Sequence, residues 1–245
     1  MKETKNNLDT KEAAVQYDSD TINSLINNLA SKDELIRRKA HDSLIAIGES
    51  VVSSLVKALS DPRDRVRWEV GKILDEIHVD WTKHADAKII KALVDDLTSK
   101  DGRIRVRARS SLVSIGGKSL AALVEALKSK EEWKRWEAAK ALGQIGDPEA
   151  IGALITALED EMFDVRWLSA EGLIAIGPQV LVPLLHRLTE HPDSLWLHEG
   201  AHRILHGIVK NNTKVIIQPV LNALEGDEVS LEVPFAAETA LKSLE

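Results

Sequence analysis

The side chains best equipped for chemistry cluster late in the sequence. Five of the eight histidines fall between His186 and His206, and within that stretch runs His198-Glu199-Gly200-Ala201-His202. Two histidines four residues apart share one face of a helix and can hold zinc, with the intervening glutamate as general base. His206 lies one further turn along the same face, so the candidate metal ligands are His198, His202, His206 and Glu199. The competing reading is that these are ordinary helix residues, because the pattern fixes only three residue types. The sequence has no G-x-S-x-G elbow, no P-loop and no dinucleotide-binding glycine motif.

The second unusual feature is tryptophan. Three of the six indoles, Trp68, Trp136 and Trp167, recur at one position of a repeated helix. They are placed opposite that helix's apolar stripe. A large aromatic turned away from a core is the kind of residue that anchors a binding surface. In sequence order the same position reads Arg38, Trp68, Val106, Trp136, Trp167, Glu199 and Phe235, with Glu69, Lys72, Glu137, Lys140 and Glu171 close by. Mixed charge around an apolar floor suits a protein or peptide more than a phosphate backbone. The alternative is that the indoles pack between neighbouring helices. Trp81 falls in an insertion, about residues 78–88, expected to form a protruding loop or an extra turn. Trp133 and Trp196 are expected to take core roles beside their neighbouring apolar positions.

The elements that position these residues emerge from comparing the sequence with itself. Seven segments carry an apolar helix, a short turn and a second helix, with a unit of about 30 residues. The second helices align on Ile36, Val66, Ile104, Lys134, Val165, Leu197 and Val233. Eight residues after each lies a leucine: Leu44, Leu74, Leu112, Leu142, Leu173, Leu205 and Leu241. Small or apolar residues four and eleven positions on complete one narrow stripe. Gly48, Gly116, Gly146 and Gly177 follow the stripe where a helix end needs positive φ. Asp147-Pro148 supplies a cap and first-turn proline for the next helix. A hairpin of this size cannot bury both its stripes alone, so the hairpins must stack. The position after each anchor is arginine in five repeats: Arg37, Arg67, Arg105, Arg135 and Arg166. These are expected to form a ladder with the turn carboxylates Asp64, Asp101, Glu131 and Asp164.

Segments such as VRWEVGKIL, KRWEAAKALGQIG and VRWLSAEGLIAIG resemble the short HEAT-like repeats named after phycobilisome lyases. The resemblance runs from about residue 20 to 245. It implies an all-α, right-handed α-α superhelix, a HEAT-like solenoid of about seven helical hairpins whose second helices line the concave face. The family includes scaffolds, bilin-lyase subunits and deoxyhypusine hydroxylase. The last presents paired His-Glu dipeptides to iron. This sequence has one, His198-Glu199, and carries Trp68-Glu69, Trp136-Glu137 and Trp167-Leu168 at the corresponding helix starts, so that activity is not expected.

Composition bounds the rest. The chain has 245 residues, no cysteine and a formal net charge of −7. Thiolate chemistry and disulfides are therefore excluded, and the overall field opposes nucleic acid and anionic membranes. No apolar stretch approaches the roughly 20 residues that span a bilayer. Residues 1–18 read as a flexible N-terminal tail and residues 19–245 as the solenoid. The expectation is a cytoplasmic, non-enzymatic scaffold that binds a protein or peptide in its groove, with no cofactor, no nucleic acid and no membrane. A metalloprotein centred on the histidines and a bilin-lyase-like chaperone are the alternatives. The apolar edge at Leu244 would suit self-association, and the oligomeric state is left open.

Overall fold

A computed structural model describes residues 17–244. Among the described residues there are fourteen α-helices and no strand, arranged as seven consecutive hairpins. The pairs are α1 (Ser19–Asn28) with α2 (Glu34–Ile47), α3 (Val52–Ala58) with α4 (Asp64–Glu76), and α5 (Ala87–Asp96) with α6 (Gly102–Ile115). Then follow α7 (Leu120–Ala126) with α8 (Glu132–Ile145), α9 (Ile151–Ala157) with α10 (Phe163–Ile176), α11 (Leu181–Glu190) with α12 (Leu195–Ile208), and α13 (Asn211–Leu224) with α14 (Val229–Leu244). The fold is an all-α solenoid, as the repeat requires. Most of the N-terminal tail expected for residues 1–18 lies outside the described residues, but Asp18 accepts from the Thr21 amide at 2.6 Å and caps α1.

The leucine column forms the centre of the core. Leu44, Leu74, Leu112, Leu142, Leu173 and Leu205 are all buried, and Leu241 is half-buried at the far end. Burying each such side chain contributes about 1.5–3 kcal/mol relative to leaving it in water. Ile36 departs from the pattern and is 42% exposed. It belongs to the first of the described hairpins. All four expected glycines have positive φ, from 63° at Gly116 to 92° at Gly177, and each ends a second helix. A side chain there would meet no neighbour but would strain the backbone, so the requirement is for φ rather than space. Asp147 accepts from the Glu149 amide at 2.9 Å, and Pro148 opens the short 3₁₀ turn that leads into α9.

Helices α2, α4, α6, α8, α10 and α12 pack in succession as one layer, with the first helices behind them. The second-helix layer is the tighter of the two through the first six hairpins. A stack that is tighter on one side bends toward it, which makes this layer the inner one. Its closest approach is between α8 and α10, where Ala138, Ala139, Ala141, Ser169 and Ala170 are small and buried. The insertion between α4 and α5 folds as a 3₁₀ turn over Trp81–His84. Trp81 does not protrude; it is buried against the core, so the insertion is held down by its own indole.

The seventh hairpin breaks the stacking rule. Helix α14 packs on α11 and α13, so it joins the first-helix layer instead of continuing the line of second helices. Both helices of this hairpin carry an internal proline, Pro219 and Pro234. No single helix among the described residues is long and apolar enough to cross a membrane.

Candidate functional site

The inner layer carries the predicted aromatic column, and each indole in it is faced by a cation. Lys72 Nζ lies 5.0 Å from the Trp68 ring, and Lys140 Nζ lies 4.7 Å from the Trp136 ring. Both lysines sit one turn after their tryptophan, the spacing at which helix side chains meet. In α10 that position is Glu171, and the cation comes instead from the next hairpin. The Arg203 guanidinium stacks 3.5 Å from the Trp167 ring and donates from Nε to Glu171 Oε1 at 2.8 Å. Arg203 thereby links α12 to two groove residues of α10.

Burial divides the column. Trp68 and Trp136 are half-buried, and Trp136 also packs against the core. Trp167 is 42% exposed. Trp133 and Trp196 do not enter the core as expected; they are 55% and 41% exposed. Trp133 meets Trp136 edge-on at 6.0 Å, and Phe163, which the repeat did not single out, lies 6.0 Å from Trp167. Arg38 is exposed at the edge of the layer, beside Asp42 at 3.9 Å. Glu69 pairs with Lys72 at 3.9 Å. Phe235 is exposed on α14, outside the line of second helices, and does not continue the column.

Glu137 is not a groove residue. It is only 2% exposed and lies between two arginines of α6, accepting from Arg109 Nη1 and lying 3.5 Å from Arg105 Nε. Arg105 in turn stacks 4.4 Å from the Trp133 ring, and Arg109 lies 6.0 Å from Trp136. The carboxylate thus holds two guanidinium groups in place under two indoles.

The regular arginines do something more local than the expected ladder. In all five repeats Nη1 donates to the carbonyl six residues earlier, in the turn that follows the first helix of the same hairpin. The acceptors are Ser31, Asp61, Ser99, Ser129 and Asp160, at 2.6 to 2.9 Å. A cation just beyond a helix C-terminus also meets the negative end of that helix's dipole. The carboxylate partners are mostly those of the following hairpin: Asp96 for Arg67, and Asp160 with Glu161 for Arg135. Of the turn carboxylates only Asp64 meets its arginine, Arg67. Asp101 caps α6 and pairs with Arg103 instead. Where the next hairpin offers an indole, the arginine stacks on it, as Arg105 does on Trp133 and Arg166 on Trp196 at 4.5 Å.

The histidine cluster is only partly as expected. His198 occupies the arginine position of α12 but is buried, with Nε2 lacking a partner and burial pulling its pKa below the usual imidazole value. It lines the cavity that His202 also lines but does not join the cluster that the other two form. Glu199 is exposed. His202 and His206 do converge, with ring centroids 4.5 Å apart, and the third group beside them is Glu225. Glu225 Oε1 lies 2.9 Å from His202 Nε2 and 3.5 Å from His206 Nε2. Glu225 caps the end of α13, so no offset within the α12 repeat pointed to it.

Comparison with known proteins locates the repeat. Residues 87–174 and 120–202 match the HEAT repeats family. Among solved structures, an engineered protein is 25% identical over 76% of this chain and 96% of its own, with a TM-score of 0.44. Human deoxyhypusine hydroxylase in complex with glycerol is 25% identical over 78% of this chain and 74% of its own, with a TM-score of 0.38. A designed armadillo repeat protein is 17% identical over 91% of this chain and all of its own, with a TM-score of 0.36. No curated protein matches the sequence. With seven stacked hairpins and HEAT repeats matched twice across residues 87–202, the chain folds as an all-α, HEAT-like solenoid.

Proposed function

We propose that the protein is a non-enzymatic scaffold that binds a protein or peptide segment along its inner, second-helix surface. The observation that carries this reading is the aromatic surface shared by α8, α10 and α12. Trp133, Phe163, Trp167 and Trp196 all keep substantial exposed area on three consecutive hairpins. Arginines from neighbouring helices hold three of them, Trp133, Trp167 and Trp196, in fixed orientations. Aromatic groups fixed in this way lose little entropy on binding, which is what makes Trp and Arg effective anchors. The cations beside the rings favour a segment that brings carboxylates together with apolar side chains.

Selection from a displayed peptide library tests the reading. The wild type is expected to enrich acidic, aromatic-containing peptides that a Phe163→Ala/Trp167→Ala variant of unchanged helicity fails to retain. Peptides held equally by both proteins, or no enrichment at all, would reject this surface as the binding site.

A further inference from the structure

We propose that His202, His206 and Glu225 form a binding site for a divalent transition metal, zinc by the chemistry of its donors. One ligand atom from each residue lies within 4.8 Å of the other two. A tetrahedral zinc with bonds of about 2.0–2.1 Å sets its ligand atoms roughly 3.4 Å apart. The two histidine–carboxylate separations, 2.9 and 3.5 Å, bracket that spacing. Two imidazole nitrogens and one carboxylate oxygen thus lie close enough together for a single ion to reach all three.

The donor set selects the ion. Two imidazole nitrogens and one carboxylate suit zinc and its neighbours, whereas calcium and magnesium take oxygen ligands. The ligands also come from separate elements. His202 and His206 project from α12, while Glu225 stands at the end of α13, 23 residues from His202 in sequence. An ion bound here would tie the irregular last hairpin to the regular stack. His202 and Glu225 also line a cavity of about 530 Å³ shared with Glu199, Asp193 and Ser230. A metal at this edge has room for water or a small ligand in its remaining position. His198 lines the same cavity but stands outside the three-ligand cluster, so the pair that matters is the second and third histidine, not the first and second.

The test is calorimetric titration of tag-free, chelator-stripped protein with zinc, with cobalt(II) as the visible-absorption probe. A single equivalent is expected to bind, with a d–d spectrum of an ordered site and a rise in melting temperature. His206→Ala and Glu225→Gln alter exposed residues and should each lower affinity at least about tenfold. His186→Ala, outside the cluster, should leave it unchanged. Absence of stoichiometric binding to the folded wild type, or binding that survives both ligand substitutions, would overturn the assignment.

Discussion

Gly143 of α8 and Gly172 of α10 meet backbone to backbone: a Cβ built on either would lie 2.9 Å from the Cα of the other. Carbon atoms in good contact sit about 3.5–4.0 Å apart, so neither position accommodates a methyl group. In an open helix, glycine to alanine stabilises by about 0.5–1 kcal/mol. Here the added carbon must push two helices apart, and overpacking of this kind costs about 1–3 kcal/mol. Gly143→Ala and Gly172→Ala are therefore expected to destabilise the protein, while Gly152→Ala, which meets nothing within 4 Å, should stabilise it. Urea unfolding of the three variants decides the matter. A stabilised Gly172→Ala would mean that α8 and α10 are not in contact at this point.

Glu137 offers a sharper electrostatic case. Its carboxylate is buried between Arg105 and Arg109, both of which also face indoles of α8. Removing the charge while keeping the shape leaves two guanidinium groups without their common counter-ion in a site largely closed to water. Breaking a buried pair from one side typically costs about 3–5 kcal/mol, because the remaining charge is uncompensated. Glu137→Gln should fall near the lower end of that range, since Arg105 and Arg109 are not fully closed off from solvent. It should also release Trp133 and Trp136, detectable as altered intrinsic fluorescence before global unfolding. An unchanged melting temperature and emission spectrum would show that Glu137 does not organise these indoles.

The repeat made most of the fold legible in the sequence, and the reason is physical. A leucine that must be buried once per hairpin leaves a period, and a helix that ends in positive φ leaves a glycine. What the period could not show was the neighbour. Projecting one helix puts Glu137 beside the groove, but α6 closes over it. The same projection puts Trp133 and Trp196 next to the core, but Arg105 and Arg166 of the preceding hairpins hold them at the surface. The five arginines were recognised as a column, but their commonest acceptor is a backbone carbonyl, which no side-chain pattern marks. Glu225 was hidden for a related reason: it reaches His202 and His206 from another helix through the turn of an irregular hairpin. Phe235 was misplaced because α14 leaves the layer to which its repeat position assigned it.

His198 makes the stability of the last regular hairpins depend on pH. It stands where five other repeats have arginine, yet its Nε2 is buried without a partner, and burial holds its pKa below the usual value of about 6.5. Asp193 pulls in the opposite direction but does not reverse the shift. A base whose pKa is lower folded than unfolded binds its proton more readily in the unfolded chain. Protonation therefore favours unfolding, and the stability present above the unfolded pKa is lost as pH falls through that value toward the folded one. His198→Leu keeps a side chain of similar size and removes the titration. The variant is expected to lose less stability than the wild type between about pH 7 and pH 5, with the two curves parallel above pH 7. Denaturant unfolding across that range, with each protein compared to itself at pH 7.5, provides the measurement. Parallel curves down to pH 5 would mean that His198 binds its proton equally well in the folded and unfolded chain, and the buried, neutral imidazole would have to be abandoned.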